Sequence, residues 1–557
     1  MFVLFFACGE PAFEPPNDVP AGDVAPLEVP EVGTASDAHF ATGEVCALCH
    51  SNHDDADALR DDQDRPIGMF DLWQGTMMAN AARDPLWRAT LAVEMAEFPT
   101  QAGALEQKCA RCHMPMAVVD AALHDRENTG LGLLDGTGDG PTFARDGVSC
   151  TTCHQITADG LGTPASFTGN YNIDADGAIY GPYMDPALGP MEAHTGFTPT
   201  FGLQIRDAGL CGSCHTLYST PFDDAGNPLG IEFPEQTPYL EWKASGGDAE
   251  GGKTCQGCHV PQTDEDGEPI ETAIARSPPG GDFNIGAREP YGRHLFVGGN
   301  TWIPQLLRDN PDVLHPHAPA AAFDATIAAA RDNLTRAATV DASVTRDGGR
   351  LVGDVSITNT SGHKFPTGYP ARRAWLHVLV TDADGAAVFE SGGYDPVGRL
   401  IDGQGEVLRS EWRGGPVLPH VDTITDDAQV VVYEPILQGA DGAPTFRLYR
   451  AVAYAKDTRL LPGGWDAGAP EAAGIGPVGV DGDANFGPGG DTVHVDVKVG
   501  HKAPYTVLAE VLYQPVSARW SSELFGVDLP ETRALKTMWN GLDKTPERVA
   551  RVIVEVE

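Results

Sequence analysis

Apolar and polar residues alternate along the C-terminal half of the chain. This period of two predicts strands, because successive side chains of a strand point to opposite faces of its sheet. A hairpin turn is predicted at Asp382-Ala-Asp-Gly385, just before the short apolar run 386–389. Strands joined by such turns favour an antiparallel β-sandwich over residues 336–520. The predicted strands are 351–358, 374–381, 430–434, 492–499 and 505–513.

The pattern is different in residues 39–335, where a helical period appears only in short segments separated by many Gly and Pro residues. Helices are predicted there over 79–97 and 320–338. Another helix, over 530–542, follows the strands. We therefore expect a domain of short helices and loops over 39–335, then the sandwich, then a short C-terminal helical tail over 521–557.

The first 38 residues fit neither pattern. Residues 1–8 are a short apolar run that ends in Cys8, and they resemble the end of a bacterial lipoprotein signal. Residues 9–38 are rich in Pro and acidic residues, which predicts a disordered tether. No other stretch approaches the roughly 18 apolar residues of a membrane span. A lipid on Cys8 would then be the link to a membrane, the outer one by resemblance to other lipoproteins; a free thiol in a frayed tail is the alternative.

The chain has 557 residues and a formal net charge of -42. Such acidity disfavours nucleic acid and anionic lipid surfaces as partners. It would attract a redox partner protein with a basic docking surface, most strongly at low salt. The alternative is that the charge only keeps an exported protein soluble. Self-association stays open.

Five Cys-x-x-Cys-His motifs, numbered 1 to 5 along the chain, carry the strongest chemical signal. This spacing is the attachment signature of c-type haem. The two thiols share one helical turn and can form thioethers, while the His supplies an axial ligand to the iron. The cofactor expectation is therefore five covalent c-type haems. The motifs are Cys46/Cys49/His50, Cys109/Cys112/His113, Cys150/Cys153/His154, Cys211/Cys214/His215 and Cys255/Cys258/His259.

Zinc is the rival interpretation, because paired Cys-x-x-Cys knuckles also form tetrahedral sites. Zinc does not require the His that directly follows all five pairs, and only 17 of the 557 residues are His. Disulfides are the second alternative. Of the eleven cysteines ten lie in motifs, which leaves only Cys8.

The motifs together with the segments 76–85, 146–154 and 362–368 resemble exported bacterial multihaem cytochromes c. This broad superfamily includes hydroxylamine oxidoreductase and the tetrahaem cytochromes that accept its electrons. The resemblance covers 39 to about 330 and touches the β-domain only at the His363 loop. It implies export to the periplasm or cell surface, and closely packed haems, mostly with two His ligands, that form an electron path.

A haem with two protein ligands carries electrons, whereas one with an open position can also bind a small molecule. Twelve histidines lie outside the motifs and are available as second ligands. An exposed loop histidine is the alternative for each candidate, and His377 is expected to be structural. The candidates are His53, His124, His194, His294 and His363. The alternatives left open are His39, His315, His317 and His501, together with Met77, Met78, Met114 and Met116.

Two functions follow. The first is an electron carrier between a periplasmic or membrane donor and a terminal acceptor, favoured because all five motifs are ordinary and spare histidines are plentiful. The second is an oxidoreductase that acts on a small nitrogen or sulfur oxyanion at one open iron, in a pocket with cationic groups. The cationic candidates are Arg293, Lys364, Arg372 and Arg373.

Overall fold

The computed structural model describes residues 28–127, 130–174, 176–500 and 502–557. Cys8 and His501 lie outside these ranges. No helix within them is long and apolar enough to span a membrane. The helices are α1 (Gly43–His50), α2 (Met69–Trp73), α3 (Pro85–Glu97), α4 (Ala102–His113), α5 (Pro115–Leu123), α6 (Asp139–Arg145), α7 (Cys150–Cys153), α8 (Leu188–Thr195), α9 (Ala208–Gly212), α10 (Pro238–Ala244), α11 (Cys255–His259), α12 (Trp302–Asp309), α13 (Pro311–Leu314), α14 (Ala320–Leu334), α15 (Ala518–Leu524) and α16 (Pro530–Asn540).

Four short strands lie among the helices, and the other strands follow residue 337. The strands are β1 (Ala178–Gly181), β2 (Thr198–Phe201), β3 (Leu217–Ser219), β4 (Phe233–Gln236), β5 (Ala338–Asp347), β6 (Arg350–Asn359), β7 (Arg373–Thr381), β8 (Ala387–Ser391), β9 (Thr423–Ile424), β10 (Val432–Tyr433), β11 (Pro435–Gly439), β12 (Pro444–Thr445), β13 (Ala451–Asp457), β14 (Gly490–Lys498), β15 (Tyr505–Gln514) and β16 (Glu547–Val556).

Two sheets of the C-terminal half share one apolar core. The first has the order β5-β6-β14-β9, and the second has the order β10-β7-β15-β16 with β8 paired to β7. Val355 and Val493 of the first sheet and Val378 and Val507 of the second belong to the same buried cluster. Except for the parallel pair β9 and β14, these strands pair antiparallel. The predicted strands are confirmed, although the one expected over 430–434 is limited to β10.

The prediction of a helical tail over 521–557 is wrong for the last residues. Helix α16 confirms the predicted helix, but β16 then pairs antiparallel with β15 over Glu547–Val556 and completes the second sheet. The run Val549, Val552, Ile553 and Val554 is rich in β-branched residues, which fit a pleated sheet surface. The closing strand therefore comes from the extreme C-terminal part of the chain.

The prediction of a disordered tether is wrong for residues 28–38. Val29 is 1% exposed, and Val32 and Ala35 are also buried. The Val29 N–H donates to the Val313 carbonyl at 3.0 Å. Apolar residues spaced by three pack here against the helical part, so this segment gains enough burial to offset its ordering entropy. The earlier part of the predicted tether lies outside the described residues.

One apolar core crosses the predicted domain boundary near residue 335. It contains residues of α3 and α12 together with residues of β11, α15 and α16. The rings of Trp302 and Trp539 meet edge to face, with centroids 5.6 Å apart. The C-terminal helices therefore pack onto the helical part and connect it to the sandwich.

Candidate haem-binding site

The five motifs lie on or at the end of short helices. Motifs 1, 2, 3 and 5 are carried by α1, α4, α7 and α11, and motif 4 begins in α9. A helical turn places the two thiols of a motif side by side, as the sequence predicts. None of the ten motif cysteines forms a disulfide. The helices therefore present pairs of thiols that are available for attachment to a cofactor.

Cys258 of motif 5 differs from the other nine motif cysteines. The sequence treats all ten as equivalent attachment residues, yet Cys258 is exposed while the other nine are half-buried. The physical reason is its position: α11 has only five residues and none of them is buried. The adjoining Gly257 is also exposed, and glycine has no side chain that could cover the thiol. Motif 5 therefore has one thiol at the protein surface.

Four of the five motif histidines have a fixed ring orientation. In each of these, Nδ1 makes a hydrogen bond to a backbone carbonyl. A proton on Nδ1 leaves the lone pair of Nε2 free for a metal, and such a bond also orients the ring. The pairs are His50 with Ile274 at 2.9 Å, His113 with Ala81 at 3.0 Å, His154 with Tyr180 at 2.7 Å and His259 with Val297 at 2.8 Å.

Two of these histidines stand opposite a second imidazole. The ring centroids of His154 and His294 are 6.4 Å apart with planes inclined by 14°. Those of His259 and His363 are 6.5 Å apart and inclined by 10°. A metal midway between two such rings would form bonds of about 2.0 Å, the usual metal–imidazole length, if each Nε2 faced it. The spacing thus fits two imidazoles that would hold one metal between them.

The second imidazole of each pair has the same orienting bond. Nδ1 of His294 contacts the Gly292 carbonyl at 2.9 Å, and Nδ1 of His363 contacts the Lys364 carbonyl at 2.9 Å. Both rings therefore keep Nε2 free on the side away from these carbonyls. Of the five second-ligand candidates from the sequence, the structure brings these two, His294 and His363, opposite a motif histidine.

The His363 loop is fixed by a fully buried ionic network. Lys364 Nζ lies 2.6 Å from Asp457 Oδ2, and Arg459 binds the same carboxylate at 2.7 Å. Arg459 also contacts Glu241 at 3.1 Å, and Glu241 accepts the Lys364 N–H at 3.2 Å. Burial would raise the pKa of Asp457, but Arg459 and Lys364 outweigh it and hold that pKa below its usual range. Since Glu241 lies in α10, the network attaches the β-domain loop that carries His363 to the motif-bearing part.

The other three candidates stand apart from the motif histidines. The His53 side chain is 37% exposed and lies 3.8 Å from Asp55. His194 is exposed on α8. The His124 side chain is 45% exposed, and its Nδ1 faces Asp120 at 3.0 Å. None of the three forms a facing pair like those of His294 and His363 among the described residues.

His315, one of the alternatives that the sequence left open, has features of a ligand. Its Nδ1 contacts the Val29 carbonyl at 2.7 Å, and its backbone has the left-handed φ of 39°. Such strained conformations concentrate at functional positions. Its neighbour His317 is different, because Nε2 lies 2.6 Å from Asp146 Oδ1 in a fully buried pair. Periodicity gives no sign of either contact, since both depend on distant segments.

Thiols of different motifs contact one another, and these contacts give the spatial order of the motifs. Helices α1 and α7 of motifs 1 and 3 pack together, as do α9 and α11 of motifs 4 and 5. Cys153 of motif 3 lies near Cys214 of motif 4. Motif 4 therefore adjoins motifs 2, 3 and 5, and motif 1 adjoins motif 3. The neighbouring thiol pairs are Cys46 with Cys150, Cys112 with Cys214 and Cys211 with Cys255.

The geometry does not favour zinc. Among the described residues, no three motif side chains bring ligand atoms within 4.8 Å of one another, as a closed zinc site requires. Burial raises the pKa of both Cys109 and Cys153 to about 12. These two thiols are therefore neutral near pH 7 unless a metal binds them.

Two of the four cationic candidates are held in buried ion pairs. Lys364 is bound by Asp457, and Arg373 lies 2.7 Å from Glu411 with both side chains 2% exposed. Arg293 faces Glu265 at 3.5 Å. Arg372 is half-buried near His215, whose pKa falls to about 4 mainly through burial and partly through the charges of His259 and Arg372. Arg372 is thus the cationic candidate that lies beside a motif histidine.

Comparison with known proteins gives one structural relationship. No family model matches the chain, and no curated protein matches it. A solved structure that does match is the crystal structure of a penta-heme cytochrome c552 from Thermochromatium tepidum. The two share 16% sequence identity with a TM-score of 0.50, over 93% of this chain and 99% of that chain. The fold of this chain is therefore similar to that of this penta-heme cytochrome along nearly its whole length.

Proposed function

We propose that this protein is an exported multihaem cytochrome that relays electrons through five covalently bound haems. The observation that carries the proposal is the pair of facing imidazoles His154/His294 and His259/His363, each of which joins a motif histidine to a distant one. The match to a penta-heme cytochrome supports the same class. Haem, when bound, supplies reversible one-electron chemistry at its iron.

Each group of residues has one role in this relay. The ten motif cysteines hold the haems covalently, and the five motif histidines bind the irons from one side. His294 and His363 bind from the other side at motifs 3 and 5, with Nδ1 anchored to Gly292 and Lys364. Haems held by two imidazoles at these motifs would suit electron transfer rather than binding of a small molecule.

The contacts between motifs support a branched electron path. Motif 4 contacts motifs 2, 3 and 5, and motif 1 joins the path through motif 3. Motif 4 therefore occupies the branch point, and motif 2 lies at the end of a branch. Among the described residues, His215 of motif 4 is also the one motif histidine whose ring has no backbone carbonyl partner. Because such a bond raises ligand basicity, motif 4 should hold its electron at a higher potential than an anchored counterpart.

Charge and the N-terminal region bear on partners and location. The net charge of -42 favours a redox partner with a basic docking surface. Attachment to the outer membrane through a lipid on Cys8 remains part of the proposal. Neither feature involves the axial ligands.

Removing the haem of motif 4 tests the relay. In Cys211→Ser/Cys214→Ser protein, we expect one haem fewer by intact mass and loss of the fast redistribution of electrons among haems after pulsed reduction. The matched control is Cys109→Ser/Cys112→Ser, which removes the haem at the branch end. This control should also lack one haem but should keep fast redistribution among the others. The order of the relay would be contradicted if both variants lost fast electron redistribution to the same extent while the His154/His294 haem stayed low-spin in each.

The alternative is an oxidoreductase with an open iron at motif 4. It is supported by Arg372, a cationic group beside His215, and by the lack of a facing imidazole there among the described residues. A high-spin signal that shifts when nitrite or hydroxylamine is added would favour this function. The relay is preferred because Lys364 and Arg373, expected to form the anion pocket, are held in buried ion pairs.

A further inference from the structure

The β-sandwich contains a second cluster of metal-ligating side chains, outside the motifs. His420, Asp483 and Asp491 place one ligand atom each within 4.8 Å of one another. Their side chains are 3%, 4% and 1% exposed. His420 Nε2 is 2.8 Å from Asp483 Oδ2 and 3.9 Å from Asp491 Oδ2. The three atoms thus lie at separations that one bound cation can bridge.

The hydrogen bonds of this cluster are incomplete. Asp491 Oδ2 accepts the Tyr433 hydroxyl at 2.8 Å, but Asp491 Oδ1 is buried without a partner. His420 Nδ1 is also buried without a partner. A buried carboxylate oxygen with no donor costs free energy, so such atoms call for an ion or water. The Asp491 carboxylate approaches the cluster through Oδ2, which lies near both Tyr433 and His420.

Charge in the cluster is also uncompensated. Neither Asp483 nor Asp491 forms an ion pair with Lys or Arg in the described part of the chain, and each lies close enough to influence the other. Asp483 Oδ1 accepts the Asn485 and Phe486 N–H groups at 3.0 and 3.1 Å. Its Oδ2 is left to face His420. Two buried carboxylates beside one imidazole form a site with net negative charge.

We propose that His420, Asp483 and Asp491 bind one first-row divalent cation of the zinc or manganese kind. One imidazole nitrogen and two carboxylate oxygens suit these ions, whereas Ca²⁺ and Mg²⁺ prefer oxygen ligands alone. The cation neutralises the charge of the two buried carboxylates. It joins the segment before β9, the loop before β14 and β14 itself, and it is independent of the haems.

The test is metal binding by the haem-loaded protein after treatment with a chelator. Because the haems stay covalently attached and keep their iron, elemental analysis counts added Zn²⁺ or Mn²⁺ separately from iron. We expect one equivalent to bind and to raise the temperature of thermal unfolding, measured by circular dichroism. Asp491→Asn and His420→Gln should each weaken binding at least about tenfold. The matched control is His494→Gln, which alters an exposed His–Asp pair on the same strand and should bind as the wild type does.

Opposite results would overturn the proposal. One such result is that the wild-type protein shows no saturable binding of Zn²⁺ or Mn²⁺. The other is that binding is unchanged in both Asp491→Asn and His420→Gln. Preferential binding of Ca²⁺ would contradict the proposed class of ion. An Asp491→Asn protein that unfolds at a higher temperature than the wild type in the presence of metal would indicate a cluster of repelling carboxylates that holds no cation.

Discussion

His363→Ala is expected to change one low-spin haem to high-spin while every haem stays attached. The His363 ring stands 6.5 Å from that of His259, nearly parallel to it, and its Nδ1 is tied to the Lys364 carbonyl. Removing it opens the sixth position at motif 5 without touching either thioether or the proximal ligand. Electron paramagnetic resonance of the oxidised protein gives the spin state, and intact mass gives the haem count. His294→Ala should do the same at motif 3.

Two controls separate ligation from general damage. His194→Ala removes an exposed histidine with no facing partner among the described residues, so it should leave every haem as in the wild type. Added imidazole should restore the low-spin signal of His363→Ala, because it can fill the vacated position. A His363→Ala protein with an unchanged spectrum, or one in which imidazole has no effect on a new high-spin signal, would refute the pairing of His363 with His259.

Asp457→Ala is expected to destabilise the protein by about 3–5 kcal/mol. Asp457 is fully buried and binds both Lys364 and Arg459, so truncation leaves two cations without their shared partner. The cost is that of a buried uncompensated charge, which far exceeds that of a surface ion pair. Denaturant unfolding followed by circular dichroism measures the loss. Because the network holds the His363 loop in place, the haem of motif 5 should also become the most easily perturbed of the five haems.

The control for this prediction is Asp496→Ala, which removes an exposed partner of Arg350 on β14. Solvent screens that pair, so little stability should be lost. A second variant, Lys364→Met with Asp457→Leu, removes a charge of each sign together and should recover part of the lost stability. If Asp457→Ala is no less stable than Asp496→Ala, the buried network does not stabilise the loop as its geometry implies.

Much of the fold could be predicted because local pattern and tertiary burial agree. Strands β6, β14 and β15 alternate, and each is buried on the face that the pattern selects, whereas β7 is buried on both faces over most of its length. Strand β5 was missed because it exposes most of its alternate positions. Strand β16 lies beyond a helix, and its pairing with β15 depends on a distant segment.

The candidate haem-binding site could also be predicted only in part from the sequence. Motif histidines and cysteines could be read from spacing alone, since attachment and proximal ligation are local to one helical turn. The exposure of Cys258 could not, because burial depends on what packs around α11. Second ligands likewise depend on how distant loops meet.

The second ligands show how far sequence proximity can mislead. His294 and His363 lie 140 and 104 residues along the chain from His154 and His259, respectively. His53, only three residues from His50, has no facing imidazole among the described residues. The sequence assigns His53 to a neighbouring haem, and that assignment stays a prediction, because which loops meet at a haem depends on tertiary packing that spacing does not encode.

The most direct test of the central claim is the intact mass of the purified wild-type protein, measured together with its iron and zinc content. The account predicts the mass of five covalent haems added to the chain and five iron atoms, one for each Cys-x-x-Cys-His motif. Zinc bound at the motifs, or motif cysteines that remain free thiols in protein exported and matured by its native host, would contradict it.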